Sequence, residues 1–298
     1  MGFEIASEVE QLIDAVNLLG SAIKSLKQEP SGHEYIYPIT LSFFSALFGV
    51  LLGYLIVWLQ EENKRIKKAI DDANFWIFAA SDCFSNLSSI KHKYIDSLTD
   101  EPLQRCLIKV IPFHFPDLDV NVTNLAFIAP KTHPPNTPVG ELGFDSITPI
   151  NAMFRNYNIL LAQWRHRNEL VRPLLKKIID EHHTGGNRAR VSQVEILKSI
   201  GPIKLADLIS ETEQAISRTD ENLQKLSDFL AEFPRIAKTA IVNSSKYYSI
   251  REALGFRISI IKINQDPTKL ERILKRVPVD PEKLKVRTSY VQPIVETM

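Results

Sequence analysis

Residues 35–59 read YIYPITLSFFSALFGVLLGYLIVWL, a run without a single acidic or basic side chain. At 1.5 Å of rise per residue, its cleanest part, Ile39 to Leu59, is roughly 30 Å long as a helix, the thickness of a bilayer's hydrocarbon core. The stretch is apolar on every side, so it predicts one membrane-spanning helix. Tyr35 and Tyr37 at one end and Trp58 at the other are amphipathic rings suited to the headgroup region. Pro38 falls in the first turn, where a missing backbone donor costs little. A cleaved secretory signal would need a basic start, a shorter apolar core and small residues at a cleavage site, none of which this stretch has.

The flanks set an orientation. After the span comes QEENKRIKK, with Lys64, Arg65, Lys67 and Lys68 close together, whereas residues 1–34 hold only Lys24 and Lys27. Basic residues are retained in the cytoplasm, so the N-terminus is expected outside and the bulk of the chain inside. The leading segment sets two lysines against six acids, a charge of −4, and the whole chain carries +1, leaving +5 on residues 35–298. That is a mild basic excess compatible with membrane lipid and too small for a nucleic-acid binder.

Working outward, residues 1–34 form an expected extracytoplasmic unit. Ile5, Val9, Leu12, Ile13, Val16, Leu19, Ile23 and Leu26 repeat at helical steps, and EPSGH makes a hinge before the span at 35–59. Beyond the span, Ile66, Ile70, Ala73, Ile77, Ala80, Phe84, Leu87, Lys91, Tyr94 and Leu98 step by four and three, a heptad seam with Lys91 as its polar occupant. One helix is expected from the bilayer to about Leu98. The same alternation returns from Ile150 to His182 and from Leu205 to Phe233. Met153, Leu160, Leu174 and Ile179 widen the middle stripe, which favours an intramolecular antiparallel bundle over an intermolecular coil.

The fold expected is therefore mainly α: a single-pass transmembrane helix, then an elongated cytoplasmic helical bundle over 60–277 with coiled-coil-like heptads, and a tail at 278–298. A proline-rich irregular insertion occupies 100–145, in which LIKVI and VNVTNLAFI read as short strands. Ser192 with Glu195 opens a helix, Gly201-Pro202 interrupts it, Ser249 with Glu252 opens another, FRISIIKI alternates like a strand, and Asp266-Pro267 starts a last helix.

Small residues Ser45, Gly49 and Gly53 recur every four positions on one face of the span, a spacing that lets a second helix approach closely. Self-association, giving a homo-oligomer, is the sharpest expectation. Asp117, Asp119 and Asn121 open like a calcium loop, but Val122 stands where the loop needs glycine and Ile128 where it needs a bidentate Glu. Asp180 and His183 lack further ligands at metal spacing. Arg165, His166 and Asn168 belong to a dense polar patch, in which Asn168 is expected to face the seam and fix register. Cys83 and Cys106 lie in the expected cytoplasmic part and imply no disulfide framework. Asn86, Asn121 and Asn243 head glycosylation triplets that matter only with the opposite orientation. Phosphate-loop, dinucleotide, zinc-protease and nucleophile-elbow motifs are absent from the sequence, so no catalytic residue, metal or cofactor is assigned. The function expected is a membrane-anchored scaffold, tether or membrane-proximal signalling component working through an unknown protein partner. The alternative is a membrane-anchored effector or enzyme whose groups meet only in three dimensions.

Overall fold

A computed structural model of the chain describes residues 17, 21, 24, 33–108, 110, 113–128, 143–182, 193–245, 248–253 and 255–277. The chain is mainly helical, with no strand among the described residues. Helix α1 spans His33–Tyr94 and closes in a 3-10 turn at Ile95–Ser97. Then come α2 (Pro102–Cys106), a 3-10 turn at Val122–Leu125, α3 (Ile147–His182) and α4 (Gln193–Ile200). They are followed by α5 (Pro202–Ser244), α6 (Tyr248–Ala253) and α7 (Pro267–Leu274). The chain divides into two compact units, Met1–Lys64 and Arg65–Met298. Apart from positions 17, 21 and 24, the expected leading amphipathic helix lies outside the described residues, as do Ser192, His183 and the 278–298 tail.

In the second unit the three seams of the sequence close on one another. Ile66, Ala73, Ile77, Ala80, Leu87 and Tyr94 of α1 are buried, as are Ile150, Phe154, Tyr157, Leu161 and Trp164 of α3 and Leu205, Ile216, Leu223, Leu226, Leu230 and Phe233 of α5. Each buried Ile, Leu or Phe among them contributes roughly 1.5–3 kcal/mol over leaving it in water. Aromatic rings join the layers: Trp76 to Phe154 at 4.9 Å, Tyr94 stacked on Trp164 at 5.3 Å, and Phe154 edge-on to Phe229 at 6.0 Å. A second cluster joins Cys106, Val171, Ile178, Ile196, Ile200, Leu205 and Leu208 at the other end of α3. Ile179, placed in the widened stripe by the sequence, is 48% exposed.

The helix directions differ from the antiparallel expectation at one pair. Residue numbers rise together between α1 and α3, from Trp76 beside Phe154 to Tyr94 beside Trp164, so these two run in the same sense. Helix α5 opposes both, with Ile241 against Ile66 and Asp220 against Lys91, and Phe229 against Phe154 and Thr219 against Trp164. The cause is the crossover at 98–146: a connection of that length can carry the chain from Leu98 back to the level of Trp76, where α3 packs, as a short turn cannot.

None of the strand expectations holds among the described residues. Leu107, Ile108 and Val110 are irregular, Val120–Ile128 contains the 3-10 turn, and Phe256–Ile263 is extended without forming a strand. Asparagine side chains stand in for a neighbouring strand. The Asn158 amide donates to the Leu118 carbonyl at 2.8 Å and accepts from the Leu118 N–H at 2.9 Å, and Asn74 accepts from the Ile261 N–H at 3.0 Å. At the breaks the local chemistry is as read. Gly201 takes φ +85°, a left-handed conformation that favours glycine, and Pro202 restarts the chain as the first residue of α5. Asp266 caps α7 by accepting from the Thr268 N–H at 3.1 Å, and the Thr268 bonds hold its carboxyl below the usual range.

The polar occupant of the first seam is the central feature of this unit. Lys91, 1% exposed, donates to Asp220, 4% exposed, at 2.6 Å. Lys91 also donates to the Lys275 carbonyl at 2.8 Å, and the other Asp220 oxygen accepts from the Val277 N–H at 2.7 Å. Replacing Lys91 alone with Met strands a buried carboxylate and should cost about 3–5 kcal/mol in denaturant unfolding. The Lys91→Met/Asp220→Leu double variant should lose distinctly less. Equal losses in the two would show that the charges are not coupled.

Candidate functional site

The apolar stretch of α1 is the first candidate. Long and apolar enough to cross a membrane, α1 has none of its most apolar stretch buried. Leu41, Phe48, Val50, Tyr54, Ile56 and Val57 are all more than half exposed. Ser45 is exposed, and a Cβ added at Gly49 or Gly53 would meet nothing within 4 Å, so the face bearing them is open. The side chains of Tyr35 and Tyr37 lie outside the described residues, and Trp58 is half-buried. In the basic flank Lys64, Lys67 and Lys68 are exposed, while Arg65 donates to the Ser244 carbonyl at 2.8 Å at the end of α5.

The polar patch on α3 does not converge on a cleft. Arg165 pairs with Asp117 at 3.0 Å and bonds the Phe115 carbonyl at 2.6 Å, pinning the crossover to α3. His166 is exposed, and Asn168 is half-buried and accepts from Arg167 at 3.2 Å. The inward residue is Arg167, fully buried, one position from the expected one. Its guanidinium donates to Thr212 at 3.2 Å and to the Cys106 carbonyl at 2.8 Å, and it lies 6.0 Å from the Trp164 ring centroid. Burial lowers its pKa to about 10, still far above neutrality. Beside this network Arg105, 3% exposed, bonds the Thr99 carbonyl and reaches Glu213 at 3.2 Å.

These charged layers tie α1 or the crossover to α3 and α5, and each reads as a fastening rather than as machinery. The buried groups are poorly suited to nucleophilic work. Burial, reinforced by Asp82, pushes the Cys83 thiol up to about 12, and burial pushes the Tyr157 hydroxyl to about 12 against the opposing hydrogen bond from Asn86, which donates to it at 2.9 Å. Burial raises Tyr94 well above its ordinary value, and nearby Asp220 adds to this. Among the described residues no group of three His, Cys, Asp or Glu side chains is placed to hold a metal. Asp117 is occupied by Arg165, and Asn121 caps its own 3-10 turn by accepting from the Thr123 N–H at 3.2 Å.

Comparison with models of known protein families, with curated proteins and with solved structures finds no match to this chain. Its own geometry is therefore what bears on function. Lys91 was visible in the sequence as the polar member of an apolar seam, but Asp220 and Arg167 were not, because neither falls on a seam position. A burial pattern wider than two positions per heptad was the only signal that could have found them.

Since Cys83 and Cys106 are buried and the Cys83 thiol is held protonated, neither should react with a maleimide at pH 8 in the native protein. Denaturation should release both, as read by intact mass. Rapid native labelling of either would show that the bundle opens on the labelling timescale.

Proposed function

We propose that this chain is a membrane-anchored helical scaffold or tether, acting through protein–protein interaction and self-association. Residues 35–59 form its single transmembrane helix, residues 1–34 lie outside, and the helical bundle lies in the cytoplasm. One observation carries the reading: an uncharged helical stretch, apolar all round and exposed all round, joined to a separately packed unit whose buried Lys91 and Arg105 are paired with Asp220 and Glu213. An apolar surface of that extent needs lipid or another helix to cover it. The four basic side chains that follow it support the orientation.

The heptad seams support a scaffold. They are filled from within the chain, so the bundle's surface is left available to partners. His166 stands exposed, and among the described residues it joins no group of three His, Cys, Asp or Glu side chains, which weakens the case for an enzyme built on the α3 patch. The open face of Ser45, Gly49 and Gly53 supports pairing between spans.

Two measurements test these points separately. Alkaline carbonate should leave the full-length protein in the membrane pellet, and protease added outside intact cells should reach only the leading segment. Release into the supernatant would end the anchored reading. Replacing Gly49 and Gly53 together with Ile should lower the oligomer mass of the detergent-extracted protein in native mass spectrometry, and an unchanged mass would remove the association face.

A further inference from the structure

A groove of about 560 Å³ lies within the second unit, between α5 and the irregular segment at 258–264. Its floor is apolar, made of Leu230, Pro234 and Ile260 among others. Around the floor stand Arg235, Lys238 and Lys262, and no acidic residue lines the groove. Among the described residues none of these three cationic side chains has an ion-pair or hydrogen-bond partner.

Elsewhere in the unit Lys91, Arg105, Arg165 and Arg272 are each matched to a carboxylate, and buried Arg167 is met by neutral acceptors. Three unmatched cations over an apolar floor are complementary to a molecule with a concentrated negative charge at one end and hydrocarbon at the other. A phosphate monoester, carrying −1.5 to −2 near neutral pH, suits three cations better than a single carboxylate does. Basic pockets of this kind take anionic lipid head groups. The volume lies within the usual range of small-molecule sites.

We infer that the groove bounded by Arg235, Lys238 and Lys262 binds an anionic phospholipid whose head group is a phosphate monoester, the phosphate held by the three cations and the first part of the acyl chains laid on Leu230, Pro234 and Ile260. The choice of a phospholipid rests on the membrane-anchored reading, since a membrane protein meets that class of molecule at high local concentration.

The test uses full-length protein in a neutral detergent, with native mass spectrometry counting adducts of short-chain dioctanoyl phosphatidic acid. One lipid per chain is expected, with binding weakened roughly tenfold or more in the Arg235→Gln/Lys238→Gln/Lys262→Gln variant. A charge-matched control, Lys198→Gln/Lys204→Gln/Lys225→Gln, removes exposed lysines elsewhere and should bind as the parent does. Equal weakening in both variants would reduce the effect to net charge and overturn the site. Equal binding of dioctanoyl phosphatidylcholine, or full competition by inorganic phosphate or by octanoate at the same concentration, would overturn the phospholipid assignment. Carbonate extraction reads anchorage independently, so loss of lipid binding in a protein that stays in the pellet counts against the groove alone.

Discussion

A lysine and an aspartate placed where only hydrocarbon belongs govern the packing of the second unit. Removing two charges from water costs several kcal/mol per ion, and their attraction offsets this only if every remaining donor and acceptor is also met. Lys91 and Asp220 therefore fix more than their own distance. Lys91 sits on α1 and Asp220 on α5, and each also bonds the backbone, Lys91 at Lys275 and Asp220 at Val277. A slip of either helix by one turn would leave both charges buried alone, whereas the leucines and isoleucines around them would tolerate such a slip. The apolar seams supply most of the driving force, and the ion pair selects one register.

The same logic appears in the neighbouring layer, beside Trp164 of α3. Arg167 and Arg105 bond the Cys106 and Thr99 carbonyls, holding the start of the crossover against α3 and α5. Arg165 holds its middle through Phe115 and Asp117. Among its described residues this proline-rich segment has no helix longer than α2, and cationic side chains, Arg165 and Arg167 from α3 and its own Arg105, bond backbone carbonyls there. That fastening is what allows the chain to cross the whole unit and bring α3 alongside α1 in the same direction.

The three long helices and their inward faces were legible in the sequence because apolar spacing at four and three is imposed by helical geometry itself. The proline-started α7 and the break at Gly201-Pro202 were legible for similarly local reasons. The parallel sense of α1 and α3 was not, since it depends on the path of the crossover, which has no periodic signal. FRISIIKI misled because alternation describes any extended segment with one covered side, and here the cover is Asn74 and the Ile66–Ile241 contact in place of a neighbouring strand. For the candidate site, the apolar stretch and its basic flank could be read directly, whereas the α5 groove joins residues about thirty positions apart whose meeting no spacing rule announces.

The arrangement around Lys91 also bears on how the protein is made. Its countercharge lies 129 residues further along the chain, and its second acceptor lies 184 residues further. At roughly 5–20 residues per second of synthesis, Lys91 waits on the order of ten seconds for Asp220 and longer for Lys275. During that interval the half of α1 beyond Lys64 presents its apolar seam with neither α3 nor α5 complete to cover it. The nascent chain therefore passes through a period of exposed hydrocarbon that ends when α5 is complete, and this period is the natural window for chaperone engagement.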